Sequence, residues 1–400
     1  MEAVQQLVST SRREPSRGLL LCGIGGFLLA FKGSLTFLFF QSNPRMGTAV
    51  TTGITLSYAL LVLGYTILDP PKTSQYDASP VLLRCISLYL VLSGASLAWT
   101  ASNSVLVASA YWLGVAADVL SIRLLLRYHP VQDNADRIMQ GFVLGAAIVA
   151  VIAWTAPAMD DMRLGNEDFL HPNFIGFEFG IAALLAAYFA QRRKTWGWVC
   201  AGFVVTTVRT LSKATIVGLI FAGLYYVLRG LQISRRTRMF IALGCGLVIL
   251  GFWGLLEAYL DVYTQGSNLE TLTGRTYIWA TSFEMAMEKP WIGHGFDSFR
   301  WLFPRFGVFQ PWQAHDEWLQ QLFAYCVIGL VIVIAIYVSF YQIIRTGRNT
   351  RMKSLATAIL VLVIIRSLVD TDRFELCFPL WLMTMLSIAL VSNPVPQRSQ

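Results

Sequence analysis

The apolar positions of this chain fall in long unbroken runs, not in alternation. Twelve runs stand out, at about 18–40, 47–68, 82–99, 105–126, 141–157, 174–190, 195–210, 214–229, 239–256, 318–341, 355–369 and 376–391. Each is long enough, or nearly so, to cross roughly 30 Å of hydrocarbon as a helix. Continuous runs argue against a transmembrane β-barrel, whose strands alternate lipid-facing and lumen-facing residues. The pattern predicts an all-α polytopic membrane protein, a single membrane domain over 1–400. About twelve transmembrane helices are expected, with one large external loop, 257–317, carrying amphipathic helices.

Composition supports the same class. Of 400 residues, 55% are hydrophobic and only 14% are charged, far from the balance of a soluble domain. The net charge of +8 needs no nucleic acid to explain it, because basic loops of a membrane protein gather on the cytoplasmic side. With the N-terminus placed inside, most Lys and Arg residues fall there, including the clusters QRRKT, RGLQISRRTR and RTGRNTRMK. Both termini are then cytoplasmic. The first run follows Arg12, Arg13 and Arg17 and lacks a small-residue cleavage site, so it reads as an uncleaved anchor. Lys32 lies inside that run and predicts a kink or a polar neighbour. The six cysteines are scattered through apolar runs and read as packing residues.

This topology collects the remaining polar features on the outer face. Arg209 and Lys213 bracket RTLSK between two short runs. They read either as cations snorkelling to headgroups or as an anion site at the ends of a broken helix pair. Arg275 opens a helical stretch, Thr276 to Glu288, whose spacing puts Arg275, Trp279 and Ser282 on one side. That helix also suits an interfacial position. His315 precedes the tenth run and is flanked by Asp316 and Glu317. An imidazole whose one nitrogen faces a carboxylate keeps the other as a base near neutral pH; an interfacial anchor is the alternative. His171, in HPN, is a second imidazole candidate, with Asn173 beside it. His294, between two glycines, reads as a turn residue, and His129 falls inside. No metal-ligand spacing and no phosphate-binding glycine loop occurs, so neither a metal nor a cofactor is expected.

Four segments, in order, resemble the O-antigen ligase and polymerase family of membrane glycosyltransferases. They are HPNFIG at 171–176, LSKATIVGL at 211–219, GRTYIW with EKPWIGHGFDSF at 274–299, and AHDEWLQQLFAYCVIGL at 314–330. The resemblance covers roughly 165–340. It implies a glycan donor on undecaprenyl diphosphate, used at the periplasmic face of the bacterial inner membrane. It also implies metal-independent, inverting transfer to an acceptor sugar hydroxyl. His315 corresponds to the family's base. Arg275 and Lys213 correspond to its diphosphate contacts, with Arg209 one turn earlier as a partner. His171, Asp316 and Asn173 are supporting candidates. Two departures stand out: Asp316 where the family often has Asn, and SKAT where it has an S-R-T-like element.

The resemblance leaves the acceptor open. A polymerase of surface or exopolysaccharide extends another lipid-linked repeat; a ligase joins the glycan to the lipid A core. The SK element and HPNFIG favour the polymerase. Partners implied are the lipid-linked glycan, the acceptor glycan or glycolipid, membrane lipids and a chain-length regulator, with no nucleic acid. A transporter of polysaccharide or lipid-linked glycan is the rival class. Twelve spans suit it, and Lys32, Asp118 and Arg123 are the polar residues that would line a path. Against it, no inverted repeat is evident and the polar residues cluster at one face.

Overall fold

A computed structural model describes residues 17–71, 80–128, 130–157, 159, 162–166, 170–231, 234–240, 243, 246, 272–305, 311–371 and 376–392. Among these the chain is helical, with no strand. The helices are α1 (Arg17–Phe31), α2 (Ser34–Phe39), α3 (Pro44–Leu68), α4 (Pro80–Ala95), α5 (Val105–Leu125), α6 (Val131–Thr155) and α7 (Pro172–Ala190). They continue with α8 (Thr195–Arg209), α9 (Lys213–Tyr225), α10 (Leu272–Glu288), α11 (Phe299–Leu302), α12 (Glu317–Thr346), α13 (Thr350–Ser367) and α14 (Leu380–Val391). Seven described helical segments are long and apolar enough to cross a membrane. The protein is an all-α polytopic membrane protein. The predicted span 239–256 lies almost wholly outside the described residues, as do loop positions 251–271, His129, Asp372 and Arg373.

Packing follows small residues and buried polar pairs. With lipid on the outside, helices gain little by hiding apolar surface from one another, so close backbone approach carries the association. Helix α1 lies against α6 in this way. A Cβ added at Gly26 would sit 1.9 Å from the Ile138 carbonyl oxygen, and one at Gly141 would sit 2.1 Å from that of Gly23. Helix α7 packs on α8, α9 on α13, and α4 and α10 on α12.

Two predicted spans differ from straight helices. The first breaks at Lys32–Gly33 into α1 and α2, and Lys32 Nζ meets Asp118 Oδ2 of α5 at 2.5 Å. The polar neighbour expected for Lys32 is therefore an ion pair between helices. The tenth span reverses direction. Tyr337 Oη donates to both oxygens of the fully buried Glu317, at 3.2 and 3.0 Å. Twenty residues of straight helix would hold them about 30 Å apart. The break is at Cys326, with φ 49° and ψ −147°. The carbonyls of Phe323 and Ala324, freed at the bend, accept from the backbone N–H of His294 and Gly295. Gly293 is required beside them: its φ is +63°, and a Cβ there would lie 2.4 Å from the Ala324 oxygen. The bend anchors the loop between α10 and α12 and so sets where His315 stands.

Candidate active site

His315 sits in the turn before α12 with φ 53°, a left-handed conformation rare for a residue with a Cβ. Asp316 follows as the N-cap of α12, its Oδ1 accepting from Leu319 N at 2.8 Å. Gln320 reaches back, its Oε1 accepting from Ala314 N at 2.9 Å. These two clamps hold the backbone on either side of His315 and aim its ring at the end of α13.

There the ring meets Asp370, not Asp316. His315 Nδ1 lies 3.4 Å from Asp370 Oδ1. The same oxygen accepts from Gln313 Nε2 at 3.0 Å and from Thr371 N at 3.0 Å. Its partner Oδ2 lies 3.4 Å from Arg366 Nη2, one helical turn earlier. Asp370 is 1% exposed and Arg366 is 0% exposed, so this is an ion pair taken out of water. Arg366 also lies over the Phe177 ring at 4.3 Å and donates from Nη1 to Cys377 Sγ at 3.3 Å. Burial alone would raise the Asp370 carboxyl; Arg366, His315 and Arg275 outweigh burial and hold it well below the usual carboxylate range. Asp370 is therefore an anion at any working pH.

A permanent carboxylate only accepts hydrogen bonds. That fixes two neighbours. His315 must present Nδ1–H to Asp370, and in the neutral ring with that tautomer Nε2 is the nitrogen that carries the lone pair. Gln313 must present its NH₂, which turns its carbonyl away; Gln313 Oε1 is buried without a hydrogen-bond partner among the described residues.

Arg275 comes from α10 and donates from Nη1 to the Val369 carbonyl at 2.8 Å, beside Asp370. His171 caps α7 and belongs to the same electrostatic cluster, feeling Asp370, Arg163, His315 and Arg366. Its Nδ1 accepts from Asn173 N at 3.3 Å. Burial first, then the neighbouring Arg163, His315 and Arg366 side chains, push its pKa down to about 4 against the pull of Asp370. His171 is thus a neutral acceptor near pH 7. By contrast, burial raises the Asp316 carboxyl, partly offset by the Leu319 and Trp318 N–H groups.

The α8–α9 turn joins through Arg163. This side chain donates from Nη2 to Asn173 Oδ1 at 2.8 Å and from Nε to Thr210 O at 3.1 Å. Arg209 grips the same 162–164 segment: its Nη1 donates to Met162 O, and its own carbonyl accepts from Leu164 N. Leu211 is left-handed at φ 51°, and Lys213 opens α9 with its side chain exposed. So His171, Asn173, Arg275 and His315 come together at one end of the bundle. Arg209 and Lys213 stand across the Arg163 bridge from them. His294 is structural: it is 3% exposed, stacks on Phe323 at 4.6 Å and sets Nε2 2.8 Å from Met285 O.

Sequence reasoning missed Gln313, Arg366 and Arg163, and noticed Asp370 only as part of an external turn. The signal for Asp316 was legible: an Asp three residues before Leu319 at the start of a helix is an N-cap pattern. A side chain spent on a cap is not free to orient the preceding residue. Among the described residues no three His, Cys, Asp or Glu side chains gather as a metal site.

Comparisons with known proteins give two matches. The O-antigen ligase family profile matches residues 198–334, a stretch holding Arg209, Lys213, Arg275 and His315. The chain is also 27% identical over 360 residues to an O-antigen ligase of Pseudomonas aeruginosa strain PAO1, covering 84% of each chain. That match extends well beyond the profile. With the His315 site embedded in a polytopic helical bundle, these two matches support a place for the chain alongside the O-antigen ligase family.

Proposed function

We propose that this protein moves a glycan from undecaprenyl diphosphate to an acceptor sugar hydroxyl at the outer face of the inner membrane, with His315 as general base. The observation that carries this reading is the His315–Asp370 contact inside a cluster of Arg side chains. Asp370 holds the imidazole in the tautomer with a free Nε2 and stabilises the imidazolium that forms. The acceptor hydroxyl gives its proton to Nε2 as its oxygen attacks the anomeric carbon. The bond from that carbon to the diphosphate oxygen breaks on the opposite face, so the configuration inverts. Undecaprenyl diphosphate leaves with the electron pair, and Arg275 with Lys213 and Arg209 hold its charge. No step calls on a metal.

The relative matched along 84% of both chains is an O-antigen ligase. That favours the ligase reading, in which lipid A core is the acceptor, over the polymerase suggested by the SK element. Glycan analysis in a host lacking this gene, complemented with wild type or His315→Ala, tests the proposal. A ligase leaves long polymer on undecaprenyl diphosphate and a bare acceptor when His315 is lost. A polymerase leaves single repeats attached to the acceptor. Normal glycans with His315→Ala would remove the base from this residue. Full activity in EDTA is expected; inhibition reversed by a divalent ion would contradict the metal-free step.

A further inference from the structure

The far end of the bundle holds a cavity of ≈ 490 Å³, between the start of α6, the end of α7 and the start of α8, with Leu19 of α1 on one side. Helix α7 separates it from His315: its 19 residues span about 28 Å from the His171 cap to this cavity. The size suits a headgroup or a small ligand. The floor is built. Asp136, 7% exposed, accepts from Arg192 Nη1 and from Gln132 Nε2 at 2.9 Å. Arg192 Nη2 donates to Tyr188 Oη at 3.1 Å, and Gln132 Oε1 accepts from Asn349 Nδ2 at 2.9 Å. The Arg192 charge is thus met by Asp136.

The rim is different. Arg137 and Arg193, both exposed, line the opening with Asp133 and with Gln140, whose Oε1 accepts from Arg137 Nη1 at 3.3 Å; Phe189 and Trp196 form an aromatic wall, their rings tilted with centroids 4.8 Å apart. Two rim cations against one carboxylate leave the opening positive. A cationic mouth beside an apolar aromatic wall at a helix end matches a molecule with an anionic head and a hydrocarbon tail. A Trp at the end of a membrane helix suits the headgroup level.

We propose that this cavity binds the phosphodiester of an anionic glycerophospholipid. Arg137 and Arg193 take the phosphate, Asp133 and Gln140 accept from headgroup hydroxyls, and the chains leave along Leu19, Phe189 and Trp196. A phosphatidylglycerol headgroup supplies that combination; a zwitterionic headgroup brings a second cation to an already positive mouth. This assignment does not depend on the transferase reading.

The test uses the full chain, purified and delipidated in detergent. Native mass spectrometry and melting temperature are read after adding phosphatidylglycerol, phosphatidylethanolamine or inorganic phosphate. The expected result is one retained phosphatidylglycerol, held about tenfold more tightly than phosphatidylethanolamine, a difference of about 1.4 kcal/mol. The double variant Arg137→Gln with Arg193→Gln loses that preference. Lys194→Gln, a neighbouring exposed cation outside the cavity, keeps it. Equal retention of the two lipids, or unchanged retention by the double variant, overturns the proposal. An equal melting shift with inorganic phosphate alone also overturns it, in favour of a free-anion site. If the double variant does not fold, wild type in rising salt decides. Exposed rim cations are screened, so phosphatidylglycerol must dissociate; retention indifferent to salt refutes the site.

Discussion

Both ends of this helix bundle contain a buried Asp bound to an Arg, yet the two are built for different work. At one end Asp136 meets Arg192, which is 37% exposed, and the remaining partners are Gln132 and Tyr188. Asp136–Arg192 and Gln132–Tyr188 tie α6 to the end of α7, and Asn349 ties α6 to the start of α13. At the other end Asp370 meets Arg366, which is 0% exposed, and one of its oxygens also faces a His, a Gln and a backbone N–H. The first arrangement closes its hydrogen bonds on itself. The second leaves two polar atoms outside the pairing among the described residues, Nε2 of His315 and the buried carbonyl oxygen of Gln313. An ion pair becomes a site when its surplus polar atoms point at something else.

Substitutions sharpen the contrast. The largest effect is expected from His315→Ala, which removes the base and lowers transfer by about 10²–10⁴-fold while melting stays close to wild type. Rates at wild-type level would place the base elsewhere. Asp370→Asn comes next and acts twice. It loses the imidazole orientation, and it leaves the Arg366 charge buried without its counter-ion, a cost of about 3–5 kcal/mol. Melting and transfer should fall together. The matching change at the other end, Asp136→Asn, leaves a partly exposed Arg192 and costs about 1 kcal/mol. Transfer per folded molecule should survive there; an equal loss of activity would erase the distinction between the ends.

Arg275→Lys keeps the charge but loses the planar fork, so donor binding should weaken by about tenfold with the acceptor unaffected. Steady-state titration of each substrate separates the two. A pH dependence of stability, well away from the pH of catalysis, comes last. His171 has a folded pKa of about 4 against an ordinary value of 6.5. The unfolded chain therefore takes up the proton first. Stability falls as pH drops from 6.5 toward 4 and levels off below that. His171→Asn keeps an N-cap and should flatten that window in a melting series; an unchanged slope assigns it to other groups. Asp370 has the opposite sense. Its folded pKa is depressed, so its contribution is full above the ordinary carboxylate range and is lost only in stronger acid.

The membrane fold was legible because apolar runs announce spans directly. The residues of the site were legible where chemistry is local: His315 and Arg275 are polar residues beside long apolar segments, and HPN is an N-cap followed by a proline at N1. Their partners were not. Asp370 lies 55 residues from His315 in sequence, and nothing in either neighbourhood names the other. Arg366 reads as one more cation at a span end, although it is wholly buried. The reversal at Cys326 has no proline to mark it; its cause lies in residues 293–295, which satisfy the freed carbonyls from another segment.

The central claim is that His315 and Asp370 act as one unit, and a double-mutant cycle on purified protein tests it most directly. Transfer from an undecaprenyl-diphosphate-linked glycan is measured for wild type, His315→Ala, Asp370→Asn and the double variant, each corrected for folded protein. If the carboxylate acts only through the imidazole, the double variant is no slower than His315→Ala alone. If the two losses multiply, Asp370 works independently of His315 and the paired base is wrong.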